Sequence, residues 1–193
     1  LKKYLGLPSS ITPRDVAQKL TLATVEVESI NDLGGDLKDV VVGKITTVGK
    51  HPNADRLKVC TVDVGSEKLT IVCGGSNVAE NMLVAIAKIG ARVRWHGEGE
   101  PVEIKEAALR GVNSYGMICG ADEIGLLERF PKKEEKEIVD LTDLKLKPGT
   151  PLAEALKLDD VIFDVQVTSN RPDAYCMVGM AIEASAILEA PLL

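Results

Sequence analysis

The sequence predicts an α+β fold in which a small five-stranded β-barrel, residues 40–149, is inserted into a discontinuous α/β domain made of residues 1–39 and 150–193. Three observations predict this division. Helical periodicity lies mainly in the two flanks, short alternating strands fill the middle, and the two parts differ in charge. Between positions 40 and 147 there are 16 Lys and Arg and 16 Asp and Glu residues, so the flanks carry the whole net charge of −6.

The first flank is predicted to form one helix and one strand. Thr12 is a hydroxyl N-cap, Pro13 occupies the first helical position, and Asp15 follows three residues after the cap. Residues 23–30 alternate between apolar and acidic side chains, which indicates a half-buried strand. A glycine pair at 34–35 then predicts a linker.

The second flank repeats this pattern of short elements. Thr150 with the following proline is predicted to cap a short helix that reaches Lys157, and residues 161–167 predict a strand. Asp173 is predicted to cap a longer helix whose apolar residues recur at helical spacing. Each flank has about 50 residues or fewer, which is too few for an independent core, so both are assigned to one domain.

The middle of the chain predicts a small closed or nearly closed barrel. Its strands are separated by glycine and turn clusters, and only residues 78–81 predict a helix. The predicted strands are residues 40–48, 57–64, 69–73, 83–87 and a less regular stretch over 104–109 that leads to 117–119.

A polar loop, residues 51–56, is predicted between the first two strands of the barrel. Pro52 restricts His51 to an extended conformation, and the side chains of Asn53 and Asp55 can bond to the local backbone. Five-stranded barrels that bind oligonucleotides present a loop beside the binding face. An ordinary hairpin turn is the alternative interpretation.

Several classes of function lack their sequence signals. The cysteines and histidines show neither metal-ligand nor disulfide spacing, so no metal and no disulfide is predicted. No phosphate-binding loop and no nucleophile with a paired base is present, and no catalytic residue is predicted. No apolar run approaches the roughly 20 residues that span a bilayer, and no leader is visible, so a cytoplasmic location is expected. The start at Leu1 rather than Met predicts a piece of a longer protein.

Four ordered blocks resemble the tRNA-binding, oligonucleotide-binding-fold barrel of several synthetases and free-standing tRNA-binding proteins. The blocks are HPNADRL at 51–57, VDVG at 62–65, IVCGGSN at 71–77 and LRGVNSYGM at 109–117. Two further blocks, ICGADEIGL at 118–126 and VTSNRPD at 167–173, resemble the beta subunits of bacterial-type phenylalanyl-tRNA synthetases. In that family too the barrel is inserted into an N-terminal domain.

The resemblance implies a role in protein biosynthesis. The complete enzyme of that family is an α2β2 ligase that attaches phenylalanine to tRNA with ATP and Mg²⁺. Its aminoacylation centre lies in the alpha subunit, and the editing and anticodon-binding parts of the beta subunit lie outside the region that this chain resembles. The chain alone is therefore expected to be inactive, to need no cofactor and to associate with the alpha subunit. Its binding to tRNA is expected to be weak, because the barrel has no net charge and few aromatic side chains.

Candidate RNA contacts are the cationic and amide side chains near the barrel motifs, whose roles would be mainly phosphate and sugar contacts. They are Lys50, Asn53, Arg56, Lys58, Asn77, Lys88, Arg92, Arg94, Arg110, Asn113 and Ser114. Few aromatic side chains accompany them, so recognition of folded tRNA is favoured over stacking on a single strand.

The motif at 170–173 also suggests the hypothesis of contacts with the alpha subunit, since Arg171 can hold a carboxylate or a carbonyl of another subunit; the candidates are Asn170, Arg171 and Asp173. Entry into the last helix is the simpler role for these residues. Two other interpretations stay open for the chain as a whole. One is a free-standing tRNA-binding or RNA-chaperone protein, and the other is a purely structural interaction domain that binds no RNA.

Overall fold

The computed structural model describes all residues from Leu1 to Leu193. Its helices are α1 (Pro13–Ala23), α2 (Leu152–Ala155) and α3 (Met177–Leu188). Its strands are β1 (Glu26–Asp32), β2 (Val40–His51), β3 (Ala54–Asp63), β4 (Lys68–Cys73), β5 (Leu83–Ala87), β6 (Arg92–Val93), β7 (Val102–Glu103), β8 (Ala107–Leu109), β9 (Val112–Ser114), β10 (Met117–Ile118) and β11 (Val161–Gln166). None of the helices is long and apolar enough to cross a bilayer.

The chain divides into two compact units. The first unit combines Leu1–Leu33 with Asp160–Leu193, and the second, which contains the barrel, is Gly34–Asp159. These exchange points differ from the predicted positions, 39 and 150. The reason is that Leu37 and Leu152, which the prediction gave to the flanks, are buried in a core of the second unit.

The first unit builds its core from both flanks of the sequence. The capping box predicted for α1 is confirmed, because the Asp15 backbone N–H donates to Thr12 Oγ1 and the Thr12 N–H donates to the Asp15 carboxylate. Strands β1 and β11 pair antiparallel, and helices α1 and α3 lie beside them. The buried residues of this core are Leu5, Val16, Leu20, Val25, Ala174, Met180, Ala181, Ala184, Leu188 and Ala190.

The entry into α3 differs from the prediction. Asp173 lies inside a 3₁₀ turn, Pro172–Tyr175, and the cap of α3 is Cys176, whose sulfur accepts the Gly179 N–H at 3.3 Å. Proline opens this turn with its fixed φ. The extra turn moves the start of the helix beyond the residue that looked like its cap.

Two other predicted helices are shorter than expected or absent, and in each a residue adopts the left-handed conformation. The short helix expected from Thr150 to Lys157 covers only α2, with no side-chain cap, and Lys157 has a φ of 57°. Residues 78–81 form no helix, because only residues 80 and 81 are in a turn and Asn81 has a φ of 66°. A right-handed helix does not continue through a residue in the left-handed region.

The barrel sheet has five antiparallel strands in the order β10-β5-β2-β3-β4. Strand β2 pairs first with β5 and then, from Lys44 onward, with β3. The backbone N–H of Tyr115, just before β10, donates to the Thr70 carbonyl of β4 at 2.9 Å and so joins the two edges of the sheet. The expected strand at 104–109 is instead partly used in a separate hairpin, β8–β9.

Strand β5 is buried on both faces, which explains why all of its side chains are apolar. Val84 and Ile86 belong to the core inside the barrel, together with Ile45, Val62 and Ile71. The alternate residues of β5 belong to a second core, which packs outside this strand. Its other members include residues between Cys119 and Leu156, so the segment after β10 covers the barrel.

The two crossings between the units lie side by side, because the Leu33 backbone N–H donates to the Asp160 carbonyl at 3.1 Å. We expect that deleting residues 34–159 and joining the ends with a short Gly/Ser linker leaves a folded first unit, since a short linker adds little loop-closure entropy. The excised barrel should also fold. Circular dichroism and thermal melting of the two pieces test this, and loss of cooperative melting in the rejoined flanks would contradict it.

Candidate functional site

The polar loop between the first two barrel strands is shorter than predicted. Strand β2 continues to His51 and β3 begins at Ala54, so only Pro52 and Asn53 form the turn. The register pairs His51 with Ala54 after an irregularity that follows Lys50. The structure therefore places these motif residues at the tip of a tight hairpin.

His51 is buried, with 5% of its surface exposed, and both ring nitrogens are used. Nδ1 accepts the Asn53 backbone N–H at 3.1 Å, and Nε2 lies 3.0 Å from the Leu109 carbonyl oxygen. Because Nδ1 is an acceptor, the ring proton is assigned to Nε2, which donates to Leu109. The imidazole is thereby oriented by two backbone groups from different parts of the chain.

Asn53 makes a second connection between the same two parts of the chain. Its side-chain Nδ2 donates to the Arg110 carbonyl at 3.0 Å. We call this bond and the His51–Leu109 bond the hairpin clamp, because they join the β2–β3 hairpin to the tip of the β8–β9 hairpin. The partners are 57 and 58 residues apart in the sequence.

Four of the predicted RNA contacts lie around the hairpin clamp. Lys50 and Lys58 are opposite each other in the β2–β3 register. Like charges directly opposite destabilise a sheet, and Lys58 relieves this by donating to the Val78 carbonyl at 3.1 Å. Lys50, Arg56 and Arg110 are exposed and their side chains have no hydrogen-bond or ion-pair partner within the chain. We call these three residues the cationic ridge.

Three predicted polar contacts instead form hydrogen bonds within the second unit. The Asn77 side chain donates to the Ile138 carbonyl at 3.0 Å and accepts the Ile138 N–H at 2.9 Å. The buried Ser114 hydroxyl accepts the Val72 N–H and donates to a carbonyl two residues further on. Asn113 donates to Glu106 within the β8–β9 hairpin. These side chains fill structural roles that their motif positions did not reveal.

The other three predicted cations lie apart from the hairpin clamp. Arg94 forms a 2.7 Å ion pair with Asp36, and Arg92 donates to the Pro101 carbonyl at 3.4 Å. Both arginines border a cleft of about 480 Å³ whose lining also includes Lys38 and three acidic side chains. Lys88 is half-buried in the segment after β5. The balanced charge of this cleft makes it a poor anion site compared with the cationic ridge.

Burial shifts the pKa values of several ionisable groups in the second unit. Burial raises the pKa of Cys60 to about 11 and raises the pKa of Cys119 still further, so both thiols stay protonated. Burial also raises the pKa of Glu123, whose carboxylate accepts the Gly120 N–H. No group of three or more His, Cys, Asp or Glu side chains lies close enough together to hold a metal ion.

Of the interface residues predicted in the first unit, Arg171 and Asp173 bond to side chains of the same unit, and Asn170 is exposed. Arg171 donates twice to Asp173, at 3.2 and 2.8 Å, once to Thr24 Oγ1 at 2.6 Å, and pairs with Glu183 at 2.8 Å. The guanidinium holds the pKa of Asp173 below its ordinary value. Asn170 is exposed beside it. A fork-shaped cation thus joins the end of α1 to α3.

Comparison with known proteins finds a match to the family described as "Putative tRNA binding domain" over residues 40–151. The chain is 41% identical over 186 residues to a phenylalanine–tRNA ligase beta subunit from Prochlorococcus marinus and 40% identical over 194 residues to one from Oceanobacillus iheyensis. These matches cover 95% and 100% of this chain but only 22% and 23% of the relatives.

Among solved structures, the C-terminal domain of Plasmodium vivax p43 overlaps 41% of this chain and 43% of its own, with a TM-score of 0.31 and 26% identity.

Asn77→Ala should destabilise the second unit by roughly 1–3 kcal/mol, because it leaves the Ile138 backbone N–H and carbonyl without their partners. Asn113→Ala is the matched control, since its exposed bond to Glu106 contributes little. Urea denaturation measures both. Equal stability of the two variants would show that the Asn77 bridge is not structural.

Acidification should weaken the first unit through Asp173. Its folded pKa is lowered, so the Arg171 pair stabilises the fold above the unfolded pKa of about 4 and loses this effect as the pH falls through the folded pKa. Melting temperatures between about pH 5 and pH 2 test this. The decline should be shallower in Asp173→Asn, whereas Asp164→Asn, an exposed matched control, should follow the unaltered chain.

Proposed function

Since the chain belongs to the putative tRNA binding domain family, we propose that its barrel contacts tRNA through the cationic ridge. The observation that carries this proposal is the hairpin clamp, which holds two hairpins together while three cations at their tips keep no internal partner. Such cations neutralise phosphates and release counterions. Their role is to position the RNA backbone and not to read its bases.

The form of RNA that suits this surface is a folded one. Single-strand barrels depend on aromatic side chains on which the bases stack. Here the second unit exposes only Trp95 and Tyr115 as large aromatic residues. This surface therefore suits phosphate and sugar contacts with a folded tRNA better than the binding of single-stranded RNA.

We further propose that the chain is the non-catalytic N-terminal part of a phenylalanine–tRNA ligase beta subunit. Identity of about 40% along the whole chain to such subunits supports this. In this proposal ATP, Mg²⁺ and the aminoacylation chemistry belong to parts of a cytoplasmic α2β2 enzyme outside this chain.

A contribution to subunit assembly is supported by the surface of α3. Met177, Val178 and Ile182 are each more than half exposed, and two of them lie four residues apart on one helix face. An exposed apolar face of this kind commonly marks a contact with protein. If tRNA binding fails, this feature favours the purely structural alternative.

Reversing two charges of the cationic ridge, with Lys50→Glu and Arg56→Glu, should weaken tRNA binding. The unaltered chain should bind in the range of roughly 10⁻⁴ to 10⁻⁶ M, with a log–log salt slope of about −2 to −4. Loss of two phosphate contacts should make that slope less negative by about 2. Titration of labelled tRNA at several salt concentrations measures both quantities.

Lys2→Glu with Lys3→Glu is the matched control, because it changes the net charge equally at exposed positions of the first unit. We expect a much smaller effect from it. Equal weakening by both pairs would assign the binding to net charge and not to the cationic ridge. No binding of the unaltered chain at low salt would refute the RNA proposal.

A further inference from the structure

We infer that His51 and Asn53 are positioning residues that hold Arg110 in place for tRNA, so that two separate hairpins bind as one preorganised surface. This inference rests on the proposed function. It assigns to the polar motif at 51–57 a role at the RNA surface that needs no contact between its buried histidine and RNA. In this inference Lys50, Arg56 and Arg110 contact the RNA, and the hairpin clamp fixes the position of Arg110 relative to the other two.

The conformation of Arg110 is the first observation. Arg110 and Gly111 form the two-residue turn of the β8–β9 hairpin with φ values of 47° and 93°. Two successive left-handed residues suit a type I′ turn, which favours Asn, Asp or Gly at the first position. Arginine at this position lowers the stability of the turn, because its side chain disfavours the left-handed conformation and cannot bond to the local backbone as Asn or Asp does. Strain held at a surface residue of this kind points to a function for its side chain.

The position of the bonds is the second observation. Asn53 Nδ2 donates to the carbonyl of Arg110 itself, and His51 Nε2 donates to the carbonyl of the preceding residue, Leu109. Arg110 lies in the turn and Leu109 is the last paired residue before it, so both acceptors lie at the tip end of the hairpin. The bonds therefore fix the position of the Arg110 backbone relative to the first residues of β3, which include Arg56.

The weakness of the β8–β9 hairpin is the third observation. Each of its strands has only three residues, and five of those six residues are exposed or half-buried. A two-stranded hairpin is marginally stable without further packing. An unclamped tip would lose conformational freedom on binding RNA, and that loss would reduce affinity. The hairpin clamp removes this loss before RNA arrives.

A double-mutant cycle on the 193-residue chain tests the inference. Arg110→Ala should weaken binding of a tRNA transcript by about threefold and make the salt slope less negative by about 0.9. Asn53→Ala should produce a similar loss although it removes no cation. In the Arg110→Ala background, Asn53→Ala should cause no further loss, because the residue that it positions is already absent. Additive losses would overturn the inference.

Arg110→Gly separates binding from stability. Glycine adopts the left-handed φ without strain, so this variant should melt at a higher temperature than the unaltered chain while binding tRNA less tightly. A merely structural role for Arg110 predicts unchanged affinity, and that result would overturn the inference. Asn31→Ala, an exposed asparagine of the first unit, is the control for Asn53→Ala and should leave binding unchanged.

The outcomes also distinguish this inference from the proposed function. If the Lys50 and Arg56 reversals weaken binding but the cycle is additive, the cationic ridge binds tRNA and only the positioning role is wrong. If those reversals leave binding unchanged, the cationic ridge does not bind tRNA, and the positioning role is refuted together with the proposed function.

Discussion

The barrel depends on the close packing of neighbouring side chains against the backbone of Gly43 in β2. A Cβ atom there would lie 2.5 Å from Ile86 Cγ1 and 2.7 Å from Val62 Cγ1, so no other residue fits without displacing a neighbour. Ile86 belongs to β5 and Val62 to β3, the two partners of β2. Because Gly43 has no side chain, the twelve-residue strand β2 can pair with both neighbours. The same strand then continues to His51 at the hairpin tip, where the hairpin clamp forms.

In the proposed function, the surface that faces RNA depends on local geometry and not on net charge. The second unit has nearly balanced charge, and Arg94, Lys58 and Arg92 are already bonded within the chain. What remains is a small number of cations whose positions depend on neutral groups, an imidazole and an amide bonded to carbonyls. A surface of this kind binds weakly alone and suits a module that contributes part of a larger contact area.

Features that depend on nearby residues were predictable from the sequence, whereas features that depend on distant partners were not. The capping box at Thr12 and the apolar run of β5 follow from spacing within a few residues, and both are confirmed. The roles of His51 and Asn77 depend on backbone groups about 60 residues away, which no local pattern identifies. The cap assigned to Asp173 was wrong because local spacing does not distinguish a cap from the preceding 3₁₀ turn.

The NRPD motif, residues 170–173, illustrates how a specific sequence can serve the fold of a discontinuous unit. Arg171 bonds to Thr24, 147 residues earlier, and to Glu183 on α3, so it joins the part of the unit before the barrel to the part after it. Hydrogen bonds to Asp173 and Thr24 use three of the five guanidinium N–H groups, and Glu183 pairs with the same guanidinium at 2.8 Å. Little of the guanidinium is left for an outside partner. An assembly role for this unit is therefore better carried by the exposed apolar face of α3 than by the guanidinium, whose removal would loosen the unit before it altered any interface.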